Sequence, residues 1–135
     1  MRKNINSLAD LNEVSLELSK KLKPGNICLL YADMGMGKTT LVSYVMAHLG
    51  FTDVSSPTYS IIQHYESNPP VCHIDLYRLE SQTQIDLLDL DYYLNQDDHI
   101  VFIEWAERLQ DFHWPAFKIK LFKDEDSNRV IECDF

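Results

Sequence analysis

The architecture of this chain follows from nine residues, Ala32-Asp33-Met34-Gly35-Met36-Gly37-Lys38-Thr39-Thr40. They match the phosphate-loop pattern G-x-x-x-x-G-K-[S/T], with alanine in place of the first glycine. The apolar run Asn26–Ala32 (NICLLYA) precedes the loop and predicts a strand that is buried on both faces. A helix is predicted from Thr39 to Leu49, with Gly50 as its C-cap. A strand, a glycine-containing loop and a helix in this order are the context in which the pattern binds phosphate.

The chemistry of phosphate binding explains the spacing of the loop. A tight turn points successive backbone N–H groups inward, and Gly35 and Gly37 allow the backbone to approach phosphate oxygens. The start of the helix adds a partial positive charge of roughly +0.5. Lys38 is placed to reach the β- and γ-phosphates of a nucleotide, and the Thr39 hydroxyl is placed to bind Mg²⁺. The alternative is a glycine turn that precedes a lysine and a threonine by chance.

Strand and helix patterns alternate along the rest of the chain. After a first helix that begins at a capping-box-like Ser7, the patterns predict in turn a strand at 59–65, a strand at 71–76, a helix near 82–90 and a strand at 100–104. Residues 117–122 and 129–135 predict a terminal antiparallel hairpin across a polar loop. We therefore expect an α/β fold of the P-loop NTPase type. It would have three layers and a mainly parallel sheet, in a single domain over residues 1–135.

The net charge limits the possible ligands. The 135 residues include 12 Lys and Arg against 21 Asp and Glu, which gives a formal net charge of −9. An acidic surface repels polyanions, so this chain is a poor binder of nucleic acid on its own. Phosphate must therefore be bound by a local arrangement of donors that overcomes the overall field.

Composition also bears on location. No apolar run approaches the roughly 18 residues of a membrane span, and Met1–Leu8 lacks the apolar segment of a signal peptide. Cys28, Cys72 and Cys133 lie in apolar runs without metal-ligand spacing, which predicts buried free thiols. We expect a cytoplasmic protein without membrane contact.

Two carboxylates follow predicted buried strands. The run VCHID ends in Asp75 and the run IVFIE ends in Glu104. Both acids should emerge at the carboxyl edge of the sheet, where ligands of α/β proteins bind. A P-loop site needs a carboxylate there to hold the metal's water shell or to orient the attacking water. The alternative for each acid is a cap on a helix or turn.

Three further residues allow two interpretations each. His73 lies two residues before Asp75, so it either orients that carboxylate or packs in the core. Thr58, in a proline-containing loop, is either a sensor of the γ-phosphate and Mg²⁺ or a plain turn residue. Trp105 either packs in the core or lines the nucleotide pocket.

Missing motifs narrow the chemistry. A guanine-specific GTPase carries [NT]-K-x-D after a late strand, and the nearest match, FKDE at 122–125, fails. Small-molecule kinases of this class close an arginine-bearing lid over the phosphates, and the four arginines here occur without such an insertion. Slow ATP hydrolysis remains as the favoured chemistry.

Four motifs in order resemble the TsaE family: ADMGMGKTT (32–40), SPTY (56–59), HIDLYRL (73–79) and IEWAER (103–108). The resemblance extends from the first helix to the terminal hairpin. In bacteria this family is the ATPase component of tRNA threonylcarbamoyladenosine synthesis. The resemblance implies a compact P-loop domain that works with TsaB and TsaD on adenosine 37 of tRNAs reading codons that start with A.

The resemblance also implies roles for individual residues. ATP would be bound by the loop residues Asp33, Met34, Gly35, Met36, Gly37, Lys38, Thr39 and Thr40. Thr39 and Glu104 would hold Mg²⁺ directly or through water. Catalysis would involve Asp75, the acid most needed for hydrolysis, together with Lys38 and with Thr58 in a switch-like loop. The departures from the family pattern, Ala32 and the methionines around Gly35, remove no donor or ligand.

The acidic charge and the resemblance together predict the partner. A protein of a tRNA pathway that lacks a basic face should act on the TsaB–TsaD proteins and should not bind tRNA tightly itself. Two other functions remain open at this point. One is a small-molecule kinase, and the other is a nucleotide-responsive binding module with negligible turnover.

Overall fold

The computed structural model describes residues 1–32, 35–51, 61–110 and 112–134. Eleven helices and strands are labelled here in chain order: β1 (Arg2–Asn4), α1 (Leu8–Lys21), β2 (Ile27–Ala32), α2 (Lys38–His48), β3 (Ile62–Tyr65), β4 (Val71–Asp75), α3 (Gln82–Asp86), α4 (Leu90–Leu94), β5 (Ile100–Glu104), β6 (Phe117–Lys123) and β7 (Arg129–Cys133). A short 3₁₀ helix, Ala106–Arg108, follows β5.

The strands form one mixed sheet in the order β1-β7-β6-β2-β5-β4-β3. The four central strands β6, β2, β5 and β4 run parallel to one another. The outer pairs β1–β7, β7–β6 and β3–β4 are antiparallel. The expectation of a mainly parallel sheet is therefore corrected, because parallel pairing is confined to the centre. The antiparallel strands β3–β4 and β6–β7 are joined by short connections, which suit antiparallel neighbours and cannot make a parallel crossover.

Helices pack on both faces of this sheet. On one face α1 and α2 form a core with alternate residues of the strands, including Cys28, Leu30 and Phe102. On the other face the neighbouring strand residues, such as Leu29 and Ile103, pack against α3, α4 and the segment after β5. Alternation of side chains along buried strands explains why both cores are apolar.

The first helix begins where its capping signal predicts. The Ser7 side chain accepts a hydrogen bond from the Asp10 N–H at 3.2 Å, which satisfies one of the free donors of the first turn. Leu11, Val14 and Leu18 then recur on the buried face of α1. This face fixes α1 against α2, which carries the phosphate-loop lysine.

Several predicted boundaries differ from the structure. The helix expected at 82–90 is divided into α3 and α4, because Asp89 adopts a left-handed conformation with φ +54°. The short strand β1 was not predicted. Strand β3 begins at Ile62; residues 59–60 of its predicted range, like Phe135 of the terminal strand, lie outside the described residues.

The predicted buried thiols are confirmed. Cys28, Cys72 and Cys133 are buried and free. Burial raises the pKa of Cys72 to about 12 and that of Cys133 to about 11, since the thiolate would lose its hydration. Within the described ranges, no helix has the length and apolar character needed to cross a bilayer.

Candidate functional site

The carboxyl ends of three adjacent parallel strands meet at one edge of the sheet. In the sheet register, Glu104 of β5 lies between Leu30 of β2 and Asp75 of β4. Residues in register project to the same face, here the face covered by α1 and α2. The two predicted acids are therefore neighbours, as expected from their positions at strand ends.

The phosphate-loop segment connects β2 to α2 beside these acids. Gly35 and Gly37 have φ angles of +79° and +100°, which residues with a side chain rarely adopt. A Cβ atom built on Gly35 would have no neighbour within 4 Å, so the space beside this glycine is open. Met36 is half-buried against the core that α1 and α2 form with the sheet. The sequence-predicted residues Asp33 and Met34 lie outside the described residues, as does Thr58.

Lys38, the first residue of α2, is buried although it is charged, with 9% of its surface exposed. Its Nζ atom has no hydrogen-bond partner among the described residues. The ammonium lies 4.3 Å from the centre of the Trp105 ring. Because a buried cation without an acceptor is costly, this position suits a site that receives an anion. Thr39 and Thr40 follow in the first turn of α2 and are half-buried.

Asp75 is the more accessible of the two acids. Its Oδ1 atom accepts a hydrogen bond from the Tyr77 N–H at 2.9 Å. Burial raises the pKa of this carboxyl above its usual value, and the negative charge of Glu104 adds to the effect. A cation close to Asp75 would stabilise its charged form and so offset the effects of burial and of the Glu104 charge on the pKa. Two carboxylates therefore lie side by side at this edge of the sheet, and carboxylate oxygens are ligands that Mg²⁺ prefers.

Glu104 is almost fully buried and is held by a histidine. His73 Nε2 and Glu104 Oε2 are 2.6 Å apart, and neither side chain is appreciably exposed. His73 Nδ1 has no partner in the described part of the chain. An unpaired N–H in the interior costs more than an unpaired lone pair, so we assign the proton to Nε2, which donates to Glu104. Of the two interpretations of His73, packing in the core is confirmed, because the side chain is fully buried; its hydrogen bond goes to Glu104 and not to Asp75.

An aromatic and cationic cluster lies at the end of β5. Trp105 has a left-handed backbone with φ +59°, and its ring centre lies 5.0 Å from that of Tyr77. The guanidinium of Arg108 lies 5.4 Å from the Trp105 ring centre, and its Nη1 donates to the Leu79 carbonyl at 2.9 Å. Sequence reasoning missed the contacts of Trp105 with Lys38 and Arg108. The motif IEWAER was the available signal, but it does not indicate which strand or loop its side chains meet.

Comparisons with known proteins agree with one another. The family model described as threonylcarbamoyl adenosine biosynthesis protein TsaE matches residues 5–131. Three curated relatives carry the name tRNA threonylcarbamoyladenosine biosynthesis protein TsaE. They come from Synechocystis (38% identical, 76% of this chain, 69% of the relative), Rickettsia felis (33%, 82% and 66%) and Nostoc (41%, 68% and 59%). The chain thus spans between 59% and 69% of the length of these relatives.

A solved structure supports the fold. The crystal structure of YdiB from Bacillus subtilis superposes with a TM-score of 0.72, over 97% of this chain and 82% of that one. The two sequences are 24% identical, so this likeness bears on the fold alone.

Proposed function

The chain belongs to the TsaE family, and on that premise we propose that it is a P-loop ATPase that acts in the biosynthesis of tRNA threonylcarbamoyladenosine. The observation that carries this proposal is the Lys38 ammonium, which is buried without a hydrogen-bond acceptor among the described residues. It lies at the start of a helix, after two glycines with positive φ angles. A helix start, a buried ammonium and glycines with positive φ support a site for a triphosphate.

The residues present are suited to Mg·ATP. Backbone N–H groups of the loop between Asp33 and Thr40 would bind the phosphates, with Lys38 on the β- and γ-oxygens. Thr39 and Glu104 would hold Mg²⁺ directly or through water. When bound, the ion supplies charge neutralisation at the phosphates. The hydrogen bond from His73 keeps the Glu104 carboxylate in one orientation, which favours ordered metal binding.

Asp75 is the residue we propose for handling the attacking water. Its Oδ1 is fixed by the Tyr77 N–H, while the side chain remains partly open to solvent. A carboxylate with a raised pKa is a better proton acceptor than an ordinary aspartate. We assign Thr58, in the SPTY segment, the role of a residue that responds to the γ-phosphate.

The partner is proposed from charge and family together. With a net charge of −9, the chain should not bind tRNA tightly, so its output should pass through the TsaB and TsaD proteins. Arg108 is tethered to the Leu79 carbonyl and to two aromatic rings, which leaves it poorly placed to serve as an arginine finger in this conformation. A partner can supply or order the missing contact, an effect worth about 10³–10⁵ in rate in other P-loop systems.

The test measures phosphate release and complex formation together. We expect turnover to be slow for the isolated chain and to rise when TsaB and TsaD are added, and we expect docking to differ between ATP and ADP. Lys38→Ala should abolish both responses. Tight tRNA binding by the isolated chain, or docking that is indifferent to nucleotide with unchanged turnover, would contradict the proposal.

A further inference from the structure

The side chain beside the buried Lys38 ammonium is an indole ring. The ammonium lies over Trp105 at 4.3 Å, well within the roughly 6 Å range of a cation–π contact. No described residue accepts a hydrogen bond from Nζ. The Trp105 ring therefore compensates part of the cost of burying this charge without serving as a hydrogen-bond acceptor of the usual oxygen or nitrogen kind.

Trp105 is next to Glu104 in sequence and packs on the residue that holds Asp75. It follows Glu104 directly at the end of β5. Its ring packs 5.0 Å from that of Tyr77, whose backbone N–H holds the Asp75 carboxylate. On the side of the following 3₁₀ helix, the Arg108 guanidinium stacks on the same indole at 5.4 Å. A movement of the Trp105 ring would thus bear on Tyr77, the residue whose N–H holds Asp75.

The cluster also reaches the surface. Tyr77 is 44% exposed, although it is a large hydrophobic residue. Arg108 lies 6.0 Å from the Tyr77 ring centre and is bonded to the Leu79 carbonyl. The path from the phosphate loop to solvent is therefore a series of direct contacts from Lys38 through Trp105 to Tyr77 and Arg108.

We propose that Trp105 is a positioning residue that holds the Lys38 ammonium in the nucleotide-free protein, and that a bound polyphosphate draws the ammonium from the indole to the anion. The competition is physically reasonable. A charge-assisted hydrogen bond to a phosphate oxygen is directional and strong, whereas the cation–π contact is weaker. Loss of the cation releases the Trp105 ring, and Tyr77 and Arg108 transmit this change to the surface.

This inference rests on the proposed nucleotide site and makes a prediction with an unusual sign. Trp105 stabilises the free state, so its removal should tighten polyphosphate binding. Trp105→Leu should bind Mg·ATP about 2- to 30-fold more tightly than wild type, the range that corresponds to one cation–π contact. Trp105→Phe keeps a weaker aromatic face and should fall between the two. A residue with a merely structural role would weaken binding or leave it unchanged when replaced.

Fluorescence gives a second readout that does not depend on activity. The chain has two tryptophans, so Trp114→Phe leaves Trp105 as the sole indole emitter. In this background we expect Mg²⁺ with inorganic tripolyphosphate, which has no base to stack on the indole, to change the emission. Lys38→Met in the same background should show the altered emission without any ligand and should not respond to tripolyphosphate. Thermal melts would first establish that Trp114→Phe and both Trp105 variants are folded.

Calorimetric measurement of nucleotide binding distinguishes failure of the Trp105 role from failure of the nucleotide site. If Mg·ATP binds wild type with the expected affinity but the Trp105 emission stays constant, this inference is wrong while the nucleotide site stands. Weaker binding by Trp105→Leu would also overturn it. If wild type binds neither ATP nor tripolyphosphate, the proposed function fails, and the emission of the ligand-free Lys38→Met variant still reports whether the ammonium contacts the indole. Identical emission of the two ligand-free proteins would refute that contact.

Discussion

Charged side chains on the edge strand β1 and those at the carboxyl edge of the central strands have opposite environments. On the outer strand β1, Arg2 pairs with Glu132 at 2.5 Å and Lys3 pairs with Glu17 at 2.5 Å, all in contact with solvent. At the carboxyl edge of the central strands, Lys38 and Glu104 are buried and Asp75 is partly buried. Lys38 has no described acceptor there, and Asp75 has a raised pKa.

Buried or partly buried charged groups thus mark the candidate site, whereas exposed ion pairs do not. Exposed ion pairs contribute about 0–1 kcal/mol each, so replacing them should have small effects. Buried charges that lack partners lower the stability of the fold, and a protein retains them where a ligand completes the arrangement. Residues at the carboxyl edge of the central strands can therefore be compared with matched residues elsewhere in the chain.

The largest expected effect is on turnover. Asp75→Asn keeps the shape and the acceptor oxygen for the Tyr77 N–H but removes the proton acceptor. We expect ATP hydrolysis in the presence of TsaB and TsaD to fall by about 10²–10⁴, the range for loss of a general base, while Mg·ATP binding is retained. Glu132→Gln, on β7 and away from the carboxyl edge of the central strands, serves as the control and should hydrolyse ATP at the wild-type rate. Undiminished turnover in Asp75→Asn would remove this residue from the mechanism.

A second effect concerns stability without nucleotide. Glu104→Ala leaves the buried His73 Nε2–H without its acceptor, which should lower the free energy of unfolding by about 1–3 kcal/mol. Glu132→Ala removes an acid of similar size from an exposed pair and should cost no more than about 1 kcal/mol. Urea denaturation of both variants measures the comparison. Equal losses in the free energy of unfolding would show that the buried Glu104 and the exposed Glu132 do not differ as described.

The smallest effect is on the pH dependence of stability. The folded-state pKa of Asp75 is raised, mainly by burial, so this group favours folding at low pH and loses that contribution as pH rises through its folded pKa. Asp75→Asn should therefore melt at a higher temperature than wild type near neutral pH, with the gain shrinking as the medium becomes acidic.

Asp98 provides the opposite case. Its hydrogen bond with His99 lowers the pKa of this exposed carboxyl. Its contribution to folding stability is present above the unfolded pKa and is lost as pH falls through the folded pKa. Asp98→Asn should therefore lower the melting temperature slightly near neutral pH. The same sign for both variants would contradict the electrostatic description of Asp75.

Sequence patterns predicted those features that are encoded within a short stretch of the chain. The strand Ile100–Glu104 has the predicted bounds, and membership of the TsaE family is confirmed by the family match over residues 5–131. Both acids were found because continuous apolar runs predict buried strands, and such strands end at a common edge. The neighbouring positions of Asp75 and Glu104 follow from that rule.

The remaining features depend on contacts between distant segments. His73 and Glu104 are 31 residues apart in the chain, and only the pairing of β4 with β5 brings them together. The contact of Lys38 with Trp105 likewise joins the first turn of α2 to the end of β5. Strand β1 has three polar residues without a pattern of its own, so its place in the sheet is set by pairing with β7. The break between α3 and α4 arises from the left-handed backbone at Asp89, which helical periodicity does not reveal.

The most direct test of the central claim is the thermal stabilisation of the chain by Mg·ATP. At about 100 times its Kd, the ligand should stabilise wild type by about 2.7 kcal/mol, a rise of several degrees in melting temperature. Lys3→Met, a matched change on β1, should show the full rise. Lys38→Met should lose most of it at the same ATP concentration, and its ligand-free melting point should not fall below that of wild type, because the change removes a buried cation that has no acceptor among the described residues. A full rise in Lys38→Met would contradict the assignment of the phosphate site to the loop between β2 and α2.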